Sequence, residues 1–103
     1  MVRVLFALAA VALGGCAAAP ITPAGGQVRQ IQPEGATPCK FIGVVEVQGG
    51  FFYSSLTEAR RDMLAKLRNE TALVKGNAYT VTAIVAERGI SLPFAQGDAY
   101  LCP

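Results

Sequence analysis

Residues 55–86, SLTEARRDMLAKLRNETALVKGNAYTVTAIVA, decide the fold of this chain. Ser55 and Glu58 have the spacing of a capping box, in which the serine hydroxyl accepts from the third amide and the carboxylate reaches back. A helix is therefore predicted over about residues 56–74, and Gly76–Asn77 is predicted to supply its left-handed exit. Small or apolar residues recur every three or four positions and predict one buried face: Leu56, Ala59, Met63, Leu67, Thr71 and Val74.

Strands are predicted on both sides of this helix. Residues 41–47 are rich in β-branched residues, and residues 78–86 alternate in the way that is typical of a strand. A loop over 89–97 and a short last strand over 99–102 follow. Strand, helix and strand in this order predict a parallel crossover, with the last strand antiparallel. The predicted class is α+β: a small βαββ domain, with one helix packed on a three- to four-stranded mixed sheet. Within the strand predicted over residues 78–86, one side is expected to carry Tyr79, Val81, Ala83 and Val85.

Composition limits what the protein can do. The 103 residues, 52% of them hydrophobic, suffice for one small domain. The absence of histidine excludes Ser-His-Asp and Cys-His catalysis and imidazole metal sites. A net charge of +2 is not typical of nucleic-acid binding. Ser54 and Ser55 have no neighbouring base, and the carboxylates lack a paired spacing, so we expect a non-enzymatic protein with no cofactor and no metal.

The N-terminus has the features of an export signal. After Arg3, residues 4–19 are all apolar or small, and sixteen residues reach roughly 24 Å, short of a ~30 Å hydrocarbon core. The run contains Leu13-Gly14-Gly15-Cys16, which resembles the lipobox of bacterial lipoproteins. The resemblance implies a diacylglycerol on the Cys16 sulfur and an acyl chain such as palmitate on its nitrogen. The alternative is a plain secreted protein with an incidental cysteine.

The predicted organisation has three parts. Residues 1–15 are the lipoprotein signal peptide, and residues 16–38 are the lipidated cysteine with a Pro/Gly-rich tether, in which one short strand at 27–31 is allowed. Residues 39–103 are the periplasmic α+β domain. Some 20 extended residues of tether would reach about 65 Å. Similarity to lipoprotein sorting implies that Ala17 directs the chain to the outer membrane, with the domain facing the periplasm.

The cysteine count predicts one disulfide. Lipidation of Cys16 leaves Cys39 and Cys102, and pairing is expected in an oxidising compartment. The predicted topology places these two residues at the same end of the sheet. Closing a loop of about 64 residues stabilises the fold by roughly 4 kcal/mol in the chain-entropy account.

A family resemblance covers roughly residues 27–103. Cys39 before Gly43-Val44, Leu67-Arg68-Asn69, Gly76-Asn77 and the terminal AYLCP resemble an uncharacterised family of bacterial lipoproteins, a domain of unknown function. In outline the chain is also similar to the outer-membrane sensor lipoprotein of the Rcs envelope-stress system, but it lacks the cysteines for a second disulfide. The resemblance implies no known reaction.

Two groups of side chains are candidates for binding. Arg61, Arg68 and Lys75 recur every seven residues and form either a solvated helix flank or a contact for lipid headgroups or lipopolysaccharide phosphate. Arg60 is expected within the apolar stripe, where it either extends its charge to solvent or pairs with a carboxylate such as Glu46 or Glu87; the alternative is a binding role. Apolar residues of the two loops either pack on the core or form a patch for an envelope protein: Phe51, Phe52, Tyr53, Leu92 and Phe94.

Together these patterns predict a non-enzymatic lipoprotein anchored in the outer membrane. Its periplasmic domain would be an interaction module for another envelope component, in stress sensing or envelope assembly. The alternative is a domain that binds a small ligand or a lipid in a cleft between the helix and the loops.

Overall fold

The structure, a computed structural model, describes residues 20–50, 53–86 and 92–103. The signal peptide, Cys16 and the loop residues 51–52 and 87–91 lie outside these ranges. The elements in chain order are β1 (Arg29–Gln30), β2 (Lys40–Gln48), α1 (Leu56–Leu73), β3 (Ala78–Val85) and β4 (Phe94–Leu101). The predicted α+β class, with one helix on a mixed sheet and one disulfide, is confirmed.

The sheet has the strand order β1-β3-β4-β2. Strand β4 is antiparallel to both β2 and β3, so β2 and β3 run parallel to each other with β4 between them. Strand β1 extends the sheet parallel to β3. The crossover through α1 therefore joins two parallel strands that are not neighbours.

Strand β4 begins earlier than predicted. Residues 94–97 are part of the predicted loop that carries Pro93, and Gly97 has a low strand propensity. They are strand residues because β4 lies between two partners and forms hydrogen-bonded ladders on both sides. Pairing on two edges outweighs the weak local preference.

The core lies between one face of the sheet and α1. Met63 and Leu67 are fully buried, and they pack with side chains of β2, β3, β4 and the N-terminal segment. Leu56 and Val74, expected in the buried stripe, are 53% and 42% exposed. Both lie at the ends of the helix, and the buried face between them also includes Asp62.

A bulge in β3 changes the predicted alternation. The register shifts between Val81 and Ala83, which adds one residue to the strand. Ile84 therefore packs on the core, whereas Val85, predicted on the same side of the strand as Tyr79, is 43% exposed.

The predicted disulfide is present. Cys39, before β2, is bonded to Cys102, after β4, with 4.2 Å between their Cα atoms. Asn77 holds the same end of the chain, since its Nδ2 donates to the Cys102 carbonyl at 2.9 Å and its Oδ1 accepts from the Cys102 amide at 2.7 Å.

The end of α1 differs from the predicted glycine exit. Lys75 has the left-handed conformation, with a φ of 68°. The Lys75 amide donates to Ala72 and the Gly76 amide to Thr71, which is the Schellman pattern. Gly76 is required for a different reason: a Cβ there would lie 2.8 Å from Thr71 Cγ2 and 3.0 Å from the Tyr100 carbonyl oxygen.

The segment predicted as a tether is folded onto the domain from residue 20 onward. Gly25 and Val28 are buried, the turn at Gly25–Gln27 packs on α1, and Arg29–Gln30 pairs with β3. Burial of Val28 in the core and the strand pairing stabilise this arrangement. The short strand that the sequence allowed at 27–31 is thus present, at the edge of the sheet.

Candidate functional site: an arginine groove

A groove of about 580 Å³ lies between α1, the N-terminal segment and the edge of the sheet. We call it the arginine groove. Its polar lining is Gln30, Thr57, Arg60, Arg61 and Arg68, and its apolar lining is Ile21, Leu64, Ala65 and Tyr79. None of the described residues that line it is acidic. The groove is therefore basic and also partly apolar.

Helical spacing brings the arginines together. Arg60, Leu64 and Arg68 are four residues apart and lie along one line on the helix surface. Arg61 and Ala65 lie along the adjoining line. Arg60 and Arg61 thus lie on one turn and Arg68 about two turns further along, with the apolar Leu64 and Ala65 between them. This arrangement suits an anion with an apolar part.

Tyr79 lies at the inner side of the groove. Its side chain is 2% exposed, and its hydroxyl lies 3.5 Å from Gln30 Oε1. Burial raises the pKa of the Tyr79 hydroxyl, and the nearby Arg68 guanidinium partly opposes the rise. The phenol therefore keeps its proton at neutral pH, and it donates this proton to Gln30 Oε1.

A second hollow, of about 270 Å³, adjoins the first at Arg60. Its other walls are apolar: Leu56, Ile84, Val85 and Ala86. Arg60, which the sequence placed in the buried stripe, is exposed and is common to both hollows. The apolar path along α1 thus continues past the arginines.

The predicted basic flank is divided by the structure. Arg61 and Arg68 line the arginine groove, whereas Lys75 is exposed beyond the helix end and does not line it. The third basic residue that lines the arginine groove is Arg60. A seven-residue repeat could not show this, because the chain leaves the helix before Lys75.

Tyr53, a predicted binding residue, has a structural role. Its hydroxyl donates to the buried Asp62 carboxylate and accepts from the Gly50 amide at 2.6 Å. Lys66 Nζ lies 3.1 Å from the same carboxylate and donates to the Gln48 carbonyl at 3.0 Å. Burial, followed by the bond to Asp62, raises the pKa of Tyr53. These contacts hold the chain after β2 on α1.

Of the two loops expected to carry an apolar patch, the first begins beside the end of the second. The Gly49 amide donates to the Pro93 carbonyl at 2.8 Å. Leu92 and Phe94 are half-buried, and Phe94 alternates with the buried Ala95, which places it on the sheet face away from α1. Phe51 and Phe52 lie outside the described residues, so the patch stays a prediction.

The sheet face away from α1 has an apolar surface of its own, which we call the outer sheet face. Phe41 and Val44 are 53% and 58% exposed. The Phe41 ring meets Tyr100 edge to face, with 5.8 Å between ring centroids.

Two asparagines of the family-like motifs were not predicted to have a role. Asn69 binds the N-terminal segment, with its Nδ2 donating to the Pro20 carbonyl and its Oδ1 accepting from the Thr22 amide, both at 3.0 Å. Asn77 binds the C-terminus, as described above. A mid-helix asparagine is a weak helix former, and this was the one available signal for Asn69.

The fold and groove define a small disulfide-bonded α+β domain with a basic, partly apolar groove. No model of a known protein family and no curated protein matches the chain. The solution NMR structure of the secreted protein SrfN from Salmonella typhimurium LT2 is similar in fold: the TM-score is 0.54 at 22% identity, over 72% of this chain and 86% of that one. Within the described ranges, no helix is long and apolar enough to cross a membrane.

Proposed function

We propose that this protein is a non-enzymatic lipoprotein of the bacterial outer membrane, anchored through Cys16, whose periplasmic domain binds an anionic amphiphile in the arginine groove. The observation that carries the proposal is the juxtaposition of three arginines with a buried, neutral tyrosine and an apolar wall.

The chemistry of the groove favours a phosphate-bearing ligand. Guanidinium groups bind phosphate oxygens through paired, charge-assisted hydrogen bonds, and they are less strongly hydrated than ammonium groups. The neutral Tyr79 hydroxyl lies at the inner wall, where it donates to Gln30 Oε1. An apolar tail would pack on Leu64 and Ile21 and continue past Arg60 into the second hollow.

Export is supported by two observations. The Cys39–Cys102 disulfide is of the kind that persists in oxidising compartments. The similar structure, SrfN, is a secreted protein.

Binding of short-chain phospholipids to the mature chain tests the proposed function. Dihexanoyl phosphatidate should raise the melting temperature by mass action, whereas dihexanoyl phosphatidylcholine at the same concentration should have a much smaller effect. Arg60→Glu should weaken phosphatidate binding at least tenfold, because it removes a charge-assisted contact and introduces repulsion. Lys40→Glu, an exposed change of equal charge on β2, is the matched control. Equal binding by both variants, or equal affinity for the two lipids, would contradict the proposal.

A protein partner on the outer sheet face is the second candidate, favoured by the exposure of Phe41 and Val44. Large exposed apolar residues that lie together are typical of interaction sites. A photo-crosslinker placed in cells at Val44, and separately at Phe94, should capture one dominant envelope protein from both positions. Uniform weak labelling at both positions would rule out this candidate.

A further inference from the structure

The start of the described chain is fastened to the helix beside the arginine groove. Asn69 holds the Pro20 carbonyl and the Thr22 amide, and Thr22 in turn accepts from the Gly25 and Gly26 amides at 2.9 Å. Close packing supports these bonds: a Cβ at residue 25 would lie 2.3 Å from Asn69 Oδ1. The path of the chain from residue 20 is thus set by the domain.

This attachment shortens the link between the lipid anchor and the domain. Only residues 17–19 separate Cys16 from Pro20. At no more than 3.6 Å per residue, the two Cα atoms are at most about 14 Å apart, whatever conformation the link adopts. The reach of about 65 Å that the sequence suggested is not available, because residues 20–38 are bound to the domain.

The link between Cys16 and Pro20 joins the domain beside the arginine groove. Ile21, one residue after Pro20, lines the arginine groove. A membrane that holds Cys16 is therefore at most about 14 Å from Pro20, the residue before Ile21, which is less than twice the screening length of about 8 Å at physiological salt. The outer sheet face, with Phe41 and Val44, lies on the opposite side of the sheet from α1.

We propose that the face bearing the arginine groove lies on the membrane that holds Cys16, where Arg60, Arg61 and Arg68 bind anionic phospholipid headgroups of that leaflet. The inference rests on the proposed function, because it needs the lipid at Cys16. The positive charge of the groove face supports this orientation toward anionic headgroups. Glu58, an acid near Arg61, has its carboxylate engaged by the Ser54 amide and hydroxyl, and the groove lining described above contains no carboxylate.

The full lipidated chain in nanodiscs tests this orientation. The discs contain phosphatidylethanolamine and phosphatidylglycerol, with a small fraction of lipid that carries a gadolinium chelate on its headgroup. The backbone amide signal of Leu64, on the groove, should be broadened several-fold more than that of Val44 on the outer sheet face. Equal broadening of the two signals would overturn the inference.

A longer link is the matched variant. Twenty Gly/Ser residues inserted between Ala19 and Pro20 leave the described contacts unchanged and add a coil with a root-mean-square length of about 25 Å. In discs without phosphatidylglycerol, the difference in broadening between the Leu64 and Val44 signals should be at least twofold smaller in this variant than in the parent chain. Asn69→Ala, which removes the contacts at Pro20 and Thr22 but leaves those from Gly25 onward, should lower the difference by a smaller factor. An unchanged difference in both variants would show that the short link does not orient the domain.

The two proposals fail in distinguishable ways. If mass spectrometry finds no acyl chains on Cys16, both the proposed anchor and the orientation are wrong. If the lipidated chain binds dihexanoyl phosphatidate but shows equal broadening on both faces, the orientation alone is wrong. If Leu64 is selectively broadened but Arg60→Glu leaves phosphatidate binding unchanged, the orientation by the link stands, and headgroup binding in the groove is wrong.

Discussion

Replacing Gly97 with alanine tests how β3 and β4 fit together. Gly97 is paired with Val81, directly beside the bulge of β3. A Cβ at residue 97 would lie 2.2 Å from the Thr80 carbonyl oxygen, whereas real Cβ atoms are essentially never closer than 3.0 Å to another heavy atom. The obstacle is backbone in a paired strand, so it cannot move away by a side-chain rotation.

The expected loss of unfolding free energy in Gly97→Ala follows from two opposing effects. Forcing extra volume into a packed site destabilises a protein by typically 1–3 kcal/mol, and a backbone obstacle favours the upper part of that range. Alanine in place of glycine lowers the entropy of the unfolded chain and offsets about 0.4–1 kcal/mol. The net loss is about 1–2 kcal/mol, which corresponds to a melting temperature lower by roughly 5–15 °C for a domain of this size.

Gly43→Ala is the matched control. Gly43 also lies beside a bulge, in β2, but a Cβ there would meet nothing within 4 Å. This variant should be as stable as the parent or up to about 1 kcal/mol more stable. Urea unfolding of all three proteins with the disulfide intact gives the comparison. Equal midpoints for Gly97→Ala and Gly43→Ala would refute the reasoning.

Three further predictions concern stability. Replacing Cys39 and Cys102 together by serine should lower the unfolding free energy by up to about 4 kcal/mol, because it opens a loop with a sequence separation of 63; parallel urea curves with equal midpoints would contradict this. Tyr53→Phe should cost about 1–3 kcal/mol, since the buried Asp62 loses a donor, and circular dichroism in urea measures it. The raised pKa of Tyr79 gives stability that is complete below its ordinary value of 10.0 and is lost as the pH rises through the folded-state value. Unfolding curves from pH 9 to 11 should therefore show a decline, of at most about 1.4 kcal/mol per pH unit for this group, and Tyr79→Phe should make it shallower.

Local signals in the sequence predicted much of the fold correctly. Ser55 begins the helix, and its hydroxyl accepts from the Glu58 amide at 3.1 Å as the capping motif requires. The Glu58 carboxylate binds Ser54 instead of Ser55, a difference of one residue. Capping depends on groups a few residues apart, so short-range spacing is sufficient to identify it.

The candidate site was predicted only in part. Arg61 and Arg68 were singled out from their spacing, but the helical repeat could not show which residues complete the groove. Ile21 and Gln30 come from a segment predicted to be a tether, and they join the site because that segment is bound to Asn69 and β3. Contacts between residues 49 positions apart, such as Asn69 with Pro20, have no signature in a local pattern.

The amino-acid sequence by itself determined the class of fold, the helix, the direction of the three main strands and the pairing of Cys39 with Cys102. Each depends on side-chain periodicity, capping or the count of available cysteines, and these are properties of short stretches or of composition. Only the tertiary structure decided the full length of β4, the bulge beside Gly97, the attachment of the N-terminal segment and the formation of the arginine groove. These depend on which surfaces meet, since close packing and pairing at both strand edges override local preference.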